Sequence, residues 1–405
     1  MELREYQKEL SLKGSEILKK HNIVYYACMV RIGKTLIALQ TCKLSEFNNV
    51  LFVTKKKAIK SIENDYNDFG FEFNLTVVND ESLHLITDKF DCVIHDEHHR
   101  FGAFPKPNKT AKLFKQKYGS LPQIYLSGTP HPESYSQIFH QFWVSYSSPF
   151  KHVNFYKFAN EFVNVKERNL GYAVVKDYSD CRINEVKPII DKYFIRYTQE
   201  QSGFETTVIE KVLYCEIEQN TKQLIKQLTK DKFIEGKNEV ILGDTAVKLM
   251  SKIHQLSSGT IKFESGNSMV IDYSKAKFIR EYFKGQKIAI FYKFTAELKA
   301  IQEVFGNEIT TDLEEFNNSN KSFAIQIVSG REGISLKNAQ YLVYYNIDFS
   351  AVSYWQSRDR LTTMERKSNE VFWIFSKGGI EDKIYKQVMN KKNFTTSVFR
   401  REYGI

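Results

Sequence analysis

Between residues 23 and 126 the chain lays down five short apolar or β-branched runs, at 23–29, 50–53, 73–78, 92–94 and 124–126. The stretches between them are more polar, and 35–43 and 56–66 have helical character. Runs this short and this apolar suit strands buried on both faces, the condition of a parallel sheet with helices on each side. The alternation returns after residue 206. Strand-like runs fall at 208–215, 287–291, 323–328, 341–345 and 371–375, and helix-like segments at 219–232, 244–256, 295–304 and 380–391. The expected fold class is therefore α/β, with two parallel-sheet domains in tandem at 1–205 and 206–405. A length of 405 residues suits two ordinary cores. The aromatic-rich stretch 145–202 shows no long period and is read as a peripheral segment of the first domain. No short internal repeat is evident.

The remaining composition excludes more than it selects. No run approaches the eighteen apolar residues that a membrane helix needs. The opening residues are charged at once, without the apolar core of a secretory signal, so a cytoplasmic location is expected. Five scattered cysteines without CxxC spacing argue against a zinc knuckle or a disulfide framework. Lys and Arg exceed Asp and Glu by 58 to 48, a net charge of +10 that favours a polyanionic partner. Six basic residues and no acidic one lie between Arg100 and Lys117, and Lys386, Lys391, Lys392, Arg400 and Arg401 form a second basic group. Either run reads as an anion-binding face or as a solvated one.

Two local motifs carry chemistry. Cys28-Met29-Val30-Arg31-Ile32-Gly33-Lys34-Thr35 joins an expected strand to an expected helix. In a phosphate loop Gly33 lets the backbone pass close to phosphate, Lys34 reaches the β/γ oxygens, and Thr35 offers its hydroxyl to Mg²⁺ at a helix N-terminus. Cys28 stands where the usual spacing has its first glycine. The second motif, Cys92-Val93-Ile94-His95-Asp96-Glu97-His98-His99, sets two carboxylates just past a hydrophobic strand. Such a position lies at the carboxyl edge of a parallel sheet, beside the phosphate loop. Asp96 is the candidate Mg²⁺ ligand and Glu97 the group that orients and deprotonates the attacking water. Zinc held by His95, His98 and His99 fails on spacing, and an acidic surface turn is the bland alternative.

In this order the motifs resemble helicase superfamily two, and within it the Swi/Snf-like DNA-dependent ATPases and translocases in a compact phage-type form. The resemblance spans nearly the whole chain. It implies two RecA-like parallel-sheet domains in tandem forming an inter-lobe ATP cleft. Leu3-Arg4-Glu5-Tyr6-Gln7 is similar to the adenine-recognising segment, with Gln7 on the base and Tyr6 packing beside it. Arg31 stands where the family often has glycine. Thr54, Lys55, Lys56 and Lys57 resemble the segment that touches the nucleic-acid backbone; the bland alternative is a solvated helix start. His99 would transmit nucleotide state, with Ser127-Gly128-Thr129-Pro130 as its coupling partner. Thr129 would also share the backbone contact.

The second domain continues the resemblance with Ile195-Arg196-Tyr197-Thr198 as the passage between domains. Ser329-Gly330-Arg331-Glu332-Gly333-Ile334-Ser335-Leu336 then matches the glycine-rich fifth segment, with Ser329 on a phosphate and Gly333 at the ligand. Tyr354-Trp355-Gln356-Ser357-Arg358-Asp359-Arg360 matches the start of the last motor segment. Gln356 and Arg360 are thereby assigned to the catalytic face. The family's second arginine falls on Thr363, which leaves Arg358 or Arg366 to compensate. The implied activity is ATP hydrolysis with Mg²⁺ driving movement on nucleic acid, with double-stranded DNA the expected partner. A strand-separating DNA or RNA helicase stays open as an alternative, as does a nucleotide-switched binding module with weak hydrolysis.

Overall fold

Alternate residues of a strand face opposite ways, and in this protein both faces of the central runs at 23–28, 50–53, 92–95 and 124–126 are buried. The computed structural model describes residues 2–132, 134–169, 174–203, 207–236, 239–330, 334–361, 368–390 and 402. It divides into two units, Met1–Phe204 and Glu205–Ile405.

The first unit opens with α1 (Glu5–His21), β1 (Ile23–Cys28), α2 (Lys34–Leu44), β2 (Asn49–Thr54), α3 (Ile59–Asp68) and β3 (Asn74–Asn79). It continues through β4 (Cys92–His95), α4 (Lys109–Tyr118), β5 (Gln123–Leu126), α5 (Ile138–Trp143) and α6 (Phe155–Phe162). The hairpin of β6 (Lys166–Asn169) and β7 (Val174–Asp177), then α7 (Ile183–Asp191) and β8 (Phe194–Tyr197), complete it. The sheet order is β3-β2-β4-β5-β1-β8, with every pairing parallel. Within β1, Ile23 and Tyr25 enter one core while Val24 and Tyr26 enter the other. That is why the run reads as continuous rather than alternating.

The second unit contains β9 (Thr207–Cys215), α8 (Gln219–Asp231), the hairpin β10 (Phe233–Glu235) and β11 (Val240–Leu242), and α9 (Ala246–Ser257). A second hairpin, β12 (Thr260–Lys262) and β13 (Ser268–Val270), precedes α10 (Ser274–Tyr282), β14 (Ile288–Tyr292) and α11 (Thr295–Phe305). Then come β15 (Ile309–Thr310), α12 (Leu313–Asn318), β16 (Ser322–Gln326) and α13 (Ile327–Gly330). The last elements are β17 (Tyr341–Tyr344), α14 (Ala351–Arg358), β18 (Ser368–Ser376) and α15 (Glu381–Met389). This sheet is also wholly parallel, in the order β15-β16-β14-β17-β18-β9. The expected α/β class, with two parallel-sheet domains in tandem, is the fold found.

Three expectations differ from the structure. Residues 145–202, expected as a peripheral segment of the first domain, also enter its interior. Phe155, Phe158 and Phe162 of α6 are buried in one of its two cores, and β8 is the edge strand beside β1. Their i, i+3, i+7 spacing is helical, but eight residues are too few to stand out among so many aromatics. The expected strand 323–328 ends at Gln326, and Ile327 and Val328 turn into α13. Helix α1 has no counterpart among the expected elements, because its buried stripe is only Leu10, Ser11, Gly14 and Leu18, with Gln7 at its start.

Polar groups tie the second unit together. Lys275 and Glu381, 1% and 0% exposed, form an ion pair at 2.7 Å that joins α10 to α15. Lys275 Nζ also donates to the Tyr345 carbonyl at 3.2 Å. Removing one partner of such a pair leaves an uncompensated buried charge, whereas replacing both by apolar groups removes the desolvation cost as well. Glu381→Ala is expected to destabilise the second unit by about 3–5 kcal/mol in urea denaturation. The double variant Lys275→Met/Glu381→Leu should lie within roughly 2 kcal/mol of the parent protein. A double variant weaker than Glu381→Ala would contradict this account.

Candidate nucleotide-binding site

The loop 28–33 leaves β1 and enters α2, and its carbonyl oxygens are held by side chains around it. Lys34 Nζ donates to Cys28 O at 3.1 Å and to Met29 O at 3.0 Å. Ile32 O accepts from the Tyr6 hydroxyl at 3.0 Å and from Gln7 Nε2 at 3.1 Å. Carbonyls engaged in this way favour a loop whose amides turn toward an anion. Gly33, the N-cap of α2, has φ 79, and a β-carbon there would come within 2.4 Å of Gln7 Nε2. Arg31 also lies in the left-handed region, with φ 68. That conformation explains why glycine suits this place, and an arginine bears a cost of roughly 1–2 kcal/mol there. Thr35 is half-buried in the first turn of α2.

Gln7, expected on the base, is engaged by the loop and by the start of α1. Its Oε1 accepts from the Arg4 backbone at 3.0 Å while Nε2 holds Ile32, and the residue is 5% exposed. In this state its amide braces the loop. Tyr6 stacks on Tyr197 with ring centroids 5.3 Å apart.

Asp96 and Glu97 follow β4 directly, at the carboxyl edge that β1, β2 and β5 share. Asp96 Oδ2 accepts from Thr54 Oγ1 at 3.0 Å, and Oδ1 accepts from the Glu97 amide at 2.9 Å. Burial, and after it the charge of Glu97, push Asp96 up to about 6 from an ordinary 3.8; Lys34 and Thr54 pull the other way. Burial also works against ionised Glu97, but the hydrogen bond and charge of His99, with Lys34 and Lys55, hold it down at about 2. Glu97 adopts φ 48, so the turn that presents it is itself strained. Arg100 clamps this turn, donating to Asp96 O at 3.3 Å and Glu97 O at 3.4 Å while pairing with Asp80.

The expected coupling residues meet. His99 Nδ1 lies 3.1 Å from Glu97 Oε2 and 2.9 Å from Ser127 Oγ, and Ser127 Oγ accepts from the Thr129 amide at 3.1 Å. A β-carbon at Gly128 would lie 3.9 Å from Lys34 Nζ, which sets this segment beside the phosphate loop. Gln141 lies outside every expected motif. It is fully buried, donates to Pro130 O at 2.7 Å, and accepts from the Tyr25 hydroxyl at 2.7 Å and from His98 at its carbonyl. Nothing local marks it, because its partners lie far away in the chain.

The expected backbone-contacting group splits. Thr54 is 1% exposed with its hydroxyl on Asp96, so it supports the carboxylate and is closed to a polymer. Lys55 is half-buried, and its charge acts on Glu97; Lys56 and Lys57 are exposed. The basic run 100–117 is not a uniform anion face either. Arg100 pairs with Asp80, Lys115 lies 4.0 Å over the Trp143 ring, and Lys117 donates to the carbonyls of Leu83, His84 and Ile86.

In the second unit Ser329 is half-buried on α13. Gly330 beside it faces Phe291, where a β-carbon would meet the ring at 2.4 Å. Arg358 is engaged within its own unit: Nη1 donates to Glu210 at 2.7 Å and the guanidinium lies 4.3 Å over Trp355. Glu210 also accepts from Tyr354, Trp373 and Tyr385, a hub that the sequence did not announce. Compensation by Arg358 therefore requires it to leave this carboxylate. Arg360 lies in a short turn of 3₁₀ helix, Asp359–Leu361, after α14. Gln356 belongs to α14, and Gly333, Thr363, Arg366 and most of the second basic group lie outside the described residues.

The donor set fits a magnesium ion accompanied by phosphate. Asp96 and Glu97 offer two carboxylates at one strand end, and Thr35 offers a hydroxyl in the first turn of α2. Magnesium is held by one or two carboxylates together with phosphate and water, without a dedicated protein cage. Among the described residues no group of three or more His, Cys, Asp or Glu side chains forms such a cage.

No protein-family model matches the chain, and none of the curated proteins matches it. Among solved structures it is similar to the SWI2/SNF2 ATPase core of Sulfolobus solfataricus in complex with double-stranded DNA, at 18% identity and a TM-score of 0.44. That similarity covers 99% of this chain and 92% of the other.

A carboxyl held at about 6 in the folded protein and near 3.8 when unfolded binds its proton more tightly in the fold. Its contribution is least unfavourable below pH 3.8, and stability is lost as pH rises toward 6. Asp96→Asn, which keeps the shape and can still meet Thr54, should therefore stabilise the ligand-free protein at pH 8 by about 1–3 kcal/mol. The gain should fade as pH approaches 4. Chemical denaturation at both pH values measures it, and a variant less stable than the parent at pH 8 would overturn the assignment.

Proposed function

We propose that the chain is an ATP-hydrolysing nucleic-acid motor that moves on double-stranded DNA without extensive strand separation. The observation that carries this reading is the meeting of Lys34, Asp96 and Glu97 at one sheet edge, joined through His99 to Ser127 and Thr129. The order of motifs along the sequence supplies the choice of duplex DNA.

Lys34 would exchange its two carbonyl partners for the oxygens of a triphosphate, and Gly33 with the loop amides would cradle them. Asp96 and Thr35 would hold magnesium, which when bound screens the phosphate charge. Glu97, kept ionised by His99, Lys34 and Lys55, would orient the attacking water and take up its proton. His99 and Ser127 would relay the state of Glu97 to Thr129. Lys56, Lys57 and Ser329 are the proposed backbone contacts, and Thr54 positions Asp96. Gln356 and Arg360 stay assigned to the triphosphate by the resemblance alone. Cycling between nucleotide states would alter the grip on phosphates, which is blind to base sequence and sensitive to salt.

A second reading, a nucleotide-switched binding module with weak hydrolysis, is favoured by one observation: Arg358 is committed to Glu210. Phosphate release separates the two readings. With duplex DNA present, Lys34→Ala and Glu97→Gln should each lower turnover by at least roughly a hundredfold while the thermal transition is kept. Normal steady-state hydrolysis by either variant would refute the assigned roles. Stimulation by RNA alone, or strand separation without triplex displacement, would remove the duplex-DNA reading. Removing Lys56 or Lys57 should reduce the slope of log affinity against log salt by about 0.9 each; an unchanged slope would exclude that lysine from the grip.

A further inference from the structure

The phosphate loop is tied to the stretch through which the chain leaves the first unit. Gln199 Nε2 donates to Val30 O at 3.0 Å, across 169 residues of sequence. Two residues earlier the Met29 amide donates to Tyr197 O at 3.0 Å, and Cys28 Sγ donates to Ile195 O at 3.7 Å. The loop is thus attached along one side to β8 and to the turn that follows it.

That turn is internally braced. Thr198 N donates to Gln201 Oε1 at 2.8 Å, and Gln201 N donates back to Thr198 Oγ1 at 3.3 Å. The Tyr197 hydroxyl donates to Gln201 O at 2.8 Å, and Ser202 Oγ donates to Gln199 O at 2.8 Å. A segment cross-linked in this way moves as a block. The first unit ends at Phe204, immediately after it.

Among the side chains that hold the loop carbonyls, Lys34 is the one that phosphate draws away, since its ammonium must leave Cys28 O and Met29 O to meet an anion. Within the section between Met29 and Ile32, Val30 then keeps its hydrogen bond from Gln199. We infer that Gln199 is a positioning residue that passes the state of the phosphate loop to the 197–203 turn, and so to the chain entering the second unit. This rests on reading the loop as a nucleotide site.

The test compares the whole wild-type chain with Gln199→Ala and Gln199→Glu at saturating ATP analogue, after nucleotide affinity has been measured for each. Glutamate keeps the size of the side chain but presents an acceptor to a carbonyl, which isolates the hydrogen bond from packing. Hydrogen–deuterium exchange of peptides within 197–203 is the readout, with duplex-DNA stimulation of hydrolysis beside it. Nucleotide should change exchange in the wild-type turn by severalfold. Both variants should lose most of that change, along with about tenfold of the DNA stimulation, while their thermal transitions stay with the parent protein. A full nucleotide response in either variant overturns the inference and leaves the nucleotide site standing. A wild-type chain that binds no nucleotide overturns both.

Discussion

Two carboxylates on consecutive residues sit half-buried at the edge of a parallel sheet, and the first unit's site is arranged around holding them there. Asp96 is driven upward by burial and by Glu97, while Glu97 is kept ionised by His99, Lys34 and Lys55. Thr54 and the Glu97 amide hold Asp96 in place, and Arg100 fixes the carbonyls of the same turn. The loop opposite is its complement, with carbonyls engaged by side chains and a lysine parked on two of them.

The second unit uses its buried polar groups for cohesion. Glu210 gathers donors from Tyr354, Arg358, Trp373 and Tyr385, uniting β9, α14, β18 and α15. Buried Glu297 accepts from the amides of Lys293 and Phe294 and from Asn346, which in turn meets His254. Networks of this kind are stable only when nearly every member has a partner, so they fix the strand ends from which the unit's loops depart.

Much of the architecture was legible because parallel strands buried on both sides must be short and apolar. The loop at Lys34 and the acid pair were legible for a related reason. Their chemistry depends on residue types at fixed covalent spacing beside a strand end. Roles that depend on a distant partner were not legible. Thr54, at a strand end before three lysines, has the composition of a phosphate contact, yet β2 lies beside β4 and its hydroxyl goes to Asp96. Arg358 has the look of a phosphate sensor, and Glu210, 148 residues away, claims it. The phenylalanines of 155–162 carry a helical period too brief to rise above an aromatic background.

The alternation of strand and helix, the loop ending in Gly33-Lys34-Thr35 and the consecutive carboxylates are each written within a few neighbouring residues. Which side chains neutralise, brace or occupy which others is set by the packing of segments distant in the chain. Gln7 on Ile32, Gln141 on Pro130 and Gln199 on Val30 are amide-to-carbonyl contacts between separate stretches of chain. Strand order and register bring those stretches together, and neither can be read from the spacing of residues within any one of them.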